Sequence, residues 1–163
     1  MKKFAMVAVA LAALTYFGML PFHANDVSRL LPVETVIVTR AGDQYRVDVG
    51  AGVRAIGRTL AEALDKLKEQ VSGVIFFQTA EQVIVEEQAA QVVDELLDES
   101  RFRPAAGIYL TPEQHLDAQS VSRYLSARHT PLTLSEAKAA RAEGKNYDLP
   151  QLIPMDGGYC LVA

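Results

Sequence analysis

The sequence predicts a single mixed α/β (α+β) domain, with a mixed sheet of about five to six strands and about four helices packed on it, preceded by an N-terminal hydrophobic helix. Three observations predict it. Alternation in Tyr45-Arg46-Val47-Asp48-Val49 and short apolar runs such as Val74-Ile75-Phe76-Phe77 have the period and length of strands. Helix-start signatures at Thr59/Glu62, Thr111/Gln114 and Thr133/Glu136 fall between such runs. No repeat, linker or composition break interrupts residues 28–163. The 163 residues, 50% hydrophobic and 22% charged, suit one domain and argue against disorder.

The first segment sets the compartment. Lys2 and Lys3 precede Phe4–Leu20, an uncharged run closed by Pro21. A basic start followed by an apolar stretch is the pattern of a signal peptide or signal-anchor helix, here residues 1–24. A spanning helix needs roughly 20 apolar residues, so this run sits at the lower limit. Cleavage after Ala24 would put the bulky Phe22 where a small residue is preferred, which favours a retained anchor. With the lysines held inside, everything after Asn25 lies on the exported side of a cell membrane or spore inner membrane, or is secreted if the segment is cut. That exported part carries the 20 acidic residues of the chain but neither Lys2 nor Lys3. Such acidity opposes adhesion to anionic lipid and, with no basic stripe, opposes nucleic-acid binding.

The elements follow in order. Val33–Arg40 and Tyr45–Val49 read as a hairpin around Ala41-Gly42-Asp43-Gln44. A loop is expected over Gly50–Gly57. A helix then starts at Thr59 with Leu60, Leu64, Leu67 and Val71 on one face, and Ser72-Gly73 ends it. Val74–Phe77 reads as a strand buried on both faces, and Gln82–Glu86 as another close behind. The next helix, Glu87–Glu99, turns Ala89, Val92, Val93, Leu96 and Leu97 inward. Ala105–Leu110 is a further strand. Thr111 and Gln114, with Pro112 at the first helical position, predict a helix to about Ala127. Thr133 and Glu136 predict a short one stopped by Gly144. Tyr147–Pro154 and Tyr159–Val162 close the domain around Asp156-Gly157-Gly158.

Few residues suggest chemistry. Gly50, Gly52 and Ala55 spell G-x-G-x-x-A, but the helix start at Thr59 comes too late to meet a pyrophosphate, so no nucleotide is expected. Glu81, Glu86, Glu87, Asp94, Glu95, Asp98 and Glu99 crowd a stretch with no Lys or Arg from 69 to 100. Their spacing matches no calcium loop, and a solvated acidic face is expected, open to a basic partner surface. Arg101 and Arg103 are placed to reach back and offset it. His115 and His129 read as surface residues and Cys160 as a small buried apolar one, with no G-x-S-x-G elbow. One cysteine excludes an internal disulfide and a cysteine-rich zinc site. No catalytic, cofactor-binding or metal residue is therefore expected.

Several phrases are carried in a shared order. Gly57-Arg58-Thr59-Leu60-Ala61-Glu62-Ala63-Leu64 is similar to a G-x-T-x-x-E-A-L helix start. Val74–Ala90 resembles a run of strand, H-T/L, apolar strand and G-E-E-x-A. Val93–Leu110 looks like helix, R-x-P-E-I-R and strand, and Asp148–Ile153 with Asp156–Tyr159 looks like a closing stretch. Together they resemble the N-terminal domain of the Ger(x)C family, the C subunits of spore germinant receptors, over residues 28–163. The chain departs from that family in having no N-terminal lipidation cysteine, in Gln78 where the family has His, and in resembling the first domain alone. The resemblance implies a non-enzymatic subunit beside integral-membrane receptor partners in nutrient-triggered germination, held to the membrane through residues 4–20. Expected partner contacts are Gln78, Thr79 and Glu81 in one loop, and Asp94, Glu95, Asp98 and Glu99 on a helix face. The alternatives are an envelope hydrolase, which needs His115 or His129 beside a carboxylate in a pocket, or a small-ligand binder.

Overall fold

A computed structural model describes residues 30–162. The hydrophobic segment expected at 1–24 lies outside them. No helix of the described residues is long and apolar enough to cross a membrane.

The predicted hairpin is present as β2 (Thr35–Ala41) and β3 (Gln44–Asp48), antiparallel, with β1 (Leu30–Pro32) before it. The expected loop Gly50–Gly57 is a loop only as far as Val53. Arg54–Gly57 forms a third antiparallel strand, β4, with Ala55 and Gly57 buried and Arg54 and Ile56 outward. Two apolar residues and a glycine are too short a pattern to announce a strand, and pairing with β3 decides it.

Helix α1 (Leu60–Gln70) is started by Thr59, whose Oγ1 accepts a hydrogen bond from the Glu62 N–H at 3.2 Å. Glu62 reaches back to the Arg58 N–H (2.8 Å) rather than to that of Thr59. The first turn lies so close to β4 that a Cβ on Gly57 would stand 2.5 Å from the Ala63 backbone nitrogen. The phrase from Gly57 to Leu64 thus has a physical reading. Gly57 admits the helix, Thr59 caps it, Ala63 is small at the contact, and Leu64 fills the core.

β5 (Val74–Phe76) departs from expectation. Only Ile75 is buried, while Val74 and Phe76 are 47% and 41% exposed. The strand lies outside the main sheet and pairs in parallel with β1 alone, in a two-stranded ribbon with one face on the core. β6 (Gln82–Glu86) is buried along its whole length, as a strand between two parallel neighbours should be. The expected helix from Glu87 begins as a 3₁₀ turn (Glu87–Ala89) and becomes α2 over Val92–Asp98, with all five predicted inner residues buried.

After β7 (Gly107–Thr111) the predicted helix start is displaced. Thr111 is buried at the strand end and its Oγ1 accepts from the Glu113 N–H in a turn. Asp117 is the true cap of α3 (Ala118–Ser126), accepting from the Ser120 N–H at 2.8 Å. Pairing of Thr111 with Glu86 keeps it in the sheet, which leaves Asp117 to cap the helix that lays Val121 and Leu125 on a smaller core. α4 (Leu134–Ala142) carries the reciprocal Thr133/Glu136 box as predicted. β8 (Gln151–Met155) and β9 (Gly158–Val162) form the closing hairpin.

The seven strands run in the order β4-β3-β2-β6-β7-β8-β9, one or two more than expected. Val36, Val38, Val83, Val85 and Ile108 face α1, α2 and α4 in the larger core. Ile37, Ile84, Tyr109 and Leu152 face α3 in a smaller one.

Candidate functional site

At the two predicted contact surfaces several side chains are engaged within the chain itself, while Gln78, Glu81, Asp94 and Asp98 stay exposed. On α2, Asp94 and Asp98 point outward, but the Arg141 guanidinium from α4 pairs with both. Lys138 stands 3.9 Å from Asp98. Glu95 is half-buried and its Oε2 accepts from the Leu60 N–H (2.7 Å), serving as a second cap on α1 from a distant segment. Glu99 is bridged by Arg101 at 2.8 Å, and the same guanidinium holds Asp65 of α1 at 2.8 Å. Arg101 therefore reaches back as expected. Arg103 turns instead toward Glu81, at 3.9 Å. The acids that looked like a free face are the glue between α1, α2 and α4.

Burial pushes the Glu99 carboxyl up, and the hydrogen bonds and charge of Arg101 more than offset this, holding it below the ordinary glutamate range. A carboxyl lowered by folding stabilises above its unfolded pKa and loses that contribution as pH falls through the folded value. Arg101→Ala is therefore expected to cost about 1 kcal/mol near neutral pH, measured by urea denaturation. The difference from the parent should shrink once the pH drops below about 4, where an ordinary glutamate protonates. A pH-independent cost would show that packing, not charge, holds Arg101.

In the loop, Thr79 is structural. Its hydroxyl accepts from the Val33 N–H at 3.0 Å and lies 2.7 Å from the Phe76 carbonyl, tying β5 to the chain entering β2. Gln78 donates to the Ser100 carbonyl at 3.2 Å. Gln78 and Glu81 stay exposed, so this loop presents two polar side chains on a fixed backbone.

Glu86 is a correction. The sequence places it among the solvated acids, yet it is fully buried on β6. Its Oε2 accepts from the Arg40 N–H at 2.7 Å, and its Oε1 has no hydrogen-bond partner among the described residues. Its place in the central strand could not be read from a run of charges.

Gly50, Ala51, Gly52 and Arg54 of the G-x-G-x-x-A motif line a cleft of about 550 Å³ beside the start of α3, while Ala55 is buried in the larger core. Gly50, Ala51 and Gly52 all have positive φ (81°, 51° and 78°), which folds the chain from β3 into β4 rather than into a helix. Among the described residues, Glu34, Asp48 and Asp117 line this cleft against Arg54 alone, and Asp117 already takes an N–H of α3. That charge balance opposes a phosphate. Among the described residues, no group of three His, Cys, Asp or Glu is arranged to hold a metal. His115 and His129 are exposed, and neither lines this cleft. Cys160 is half-buried in β9 with a free thiol.

Two surfaces were missed. Among the described residues, the edge strand β9 leaves one side of its backbone unpaired, and its half-buried Tyr159, Cys160 and Leu161 are flanked by Met155 and Val162, 62% and 48% exposed. The ribbon β1/β5 turns Val74 and Phe76 outward. A signal for the first was present in the sequence, since Asp156 is the only charge from Leu149 to Val162. No protein-family model matches the chain, and neither a curated protein nor a solved structure matches it. Fold and geometry define the class: a mixed α/β domain with an open, apolar sheet edge.

Proposed function

We propose that the chain is a membrane-anchored, exported, non-enzymatic subunit of the kind the germinant-receptor C subunits represent, acting by protein–protein contact beside integral-membrane partners in nutrient-triggered germination. The strongest support is the open edge at β9. An uncharged strand whose outer N–H and C=O groups are unpaired among the described residues, with two exposed apolar flanks, suits pairing with a strand of another protein, the backbone supplying affinity and alternate side chains specificity. Further support comes from the phrase Gly57–Leu64, whose residues each have a packing or capping role, so that the likeness to the family has a structural content.

The single cysteine makes the test direct, because Cys160 lies within that edge. A thiol-linked photo-crosslinker on Cys160, activated in native membranes, is expected to give an adduct with a multi-span membrane protein. Val162→Lys, which puts a charge on the exposed edge without touching the core, is expected to abolish it. Adducts only with soluble proteins, or an adduct indifferent to Val162→Lys, would refute the proposal.

A further inference from the structure

We propose that the outward face of the β1/β5 ribbon rests on the lipid surface, so that the domain is held against the bilayer in one orientation rather than swinging freely on its anchor. This rests on the anchored reading above. In the parallel ribbon Leu30 pairs with Val74, Leu31 with Ile75 and Pro32 with Phe76. Leu31 and Ile75 turn into the core, and Leu30, Pro32, Val74 and Phe76 turn out. Val74 and Phe76 are two of the five large apolar side chains left exposed in the described residues. Beside them opens a groove of about 690 Å³ lined by Leu30, Leu31, Val53 and Val71.

Three further observations select lipid as the occupant. The first is the position of the tether. The apolar run ends at Leu20, and nine residues, spanning about 30 Å at full extension, separate it from Leu30 in this same ribbon. The second is charge. Residues 70–80 and 30–33 contain no Asp, Glu, Lys or Arg, in a domain whose surface is otherwise acidic. An acidic body is repelled by an anionic leaflet, and an uncharged face can approach it; of the two charge-poor faces, this ribbon is the one next in sequence to the tether. The third is composition, since an aromatic with aliphatic neighbours is what partitions at the boundary of headgroups and acyl chains.

The chain has no tryptophan, so one can be placed as the only indole reporter. Phe76→Trp would be made in the full chain, reconstituted in vesicles of phosphatidylcholine and phosphatidylglycerol. Met155→Trp, in the turn region of the β8/β9 hairpin, is the comparison site. Vesicle flotation is measured alongside, and Val74→Trp serves if the first variant fails to fold. The expected result is a blue-shifted emission from position 76, quenched by lipids brominated on the acyl chains, with position 155 unquenched. A chain that floats with the vesicles while position 76 stays unquenched overturns this inference and leaves the anchor standing. Equal quenching at both positions also overturns it, since no face is then preferred. A blue-shifted position 76 in detergent that brominated lipid does not quench means that the chain's own residues 1–29 cover the ribbon, and overturns it likewise. A chain that does not float removes the anchor and the inference together.

Discussion

Gly57→Ala is expected to destabilise the domain by about 3 kcal/mol, at the upper end of the cost of forcing an extra methyl into a packed contact. The new Cβ would lie 2.5 Å from the Ala63 nitrogen and 2.9 Å from its Cα. These are backbone atoms, with no rotamer to escape into. Helix α1 cannot retreat either, because Leu60, Leu64 and Leu67 are at most 1% exposed beneath the sheet. Retreat of β4 would break its pairing with β3 from Tyr45–Gly57 to Asp48–Arg54. Gly158→Ala is the control, since its Cβ would meet nothing within 4 Å. Chemical denaturation of the full chain should show a large loss for the first variant and almost none for the second. Equal midpoints would show that β4 does not pack on α1 as described.

Glu86→Ala is expected to cost about 2–4 kcal/mol, combining an orphaned buried N–H with the void left by a large side chain. The N–H is that of Arg40, which the carboxyl meets at 2.7 Å near the end of β2. Parallel pairing of β2 with β6 ends at Val38–Val85, so the Glu86 side chain continues the link between the two strands beyond the ladder. Glu86→Gln keeps an oxygen for Arg40 and nearly the same volume. It should stay within about 1 kcal/mol of the parent, because it only exchanges one unpartnered buried atom for another. Thermal unfolding of both variants distinguishes the roles. Alanine and glutamine variants of equal stability would mean that the bond to Arg40 contributes nothing.

Much of the fold was legible because its signals are local. Thr133 and Glu136 are three residues apart and close their box within one turn, so the start of α4 is readable without knowing what α4 touches. The same holds for Thr59. The four inner residues of α2 are readable from helical periodicity, and the β2/β3 hairpin from alternation around a glycine turn. Thr111 shows the limit. As a local signal it is as good as Thr133, yet Asp117 takes the cap, because Thr111 is buried and paired with Glu86 at the end of β7.

The candidate surfaces were less legible, since exposure is a property of neighbours distant in sequence. Arg141 lies 43 residues from Asp98, and Glu95 lies 35 from Leu60, so no window of sequence shows these acids as already engaged. Val74–Phe76 has the composition of a central strand, and only the sheet order places it in an outer ribbon.

The order of residues alone settled the β2/β3 and β8/β9 turns, the starts of α1 and α4, and the apolar faces of α1 and α2. All of these depend on bonds and contacts within a few residues. The folded arrangement decided which acids are spent, which glutamate is buried, and which two apolar surfaces remain open. Those outcomes depend on which strands become neighbours, and pairing energies between remote segments carry no local mark in the chain.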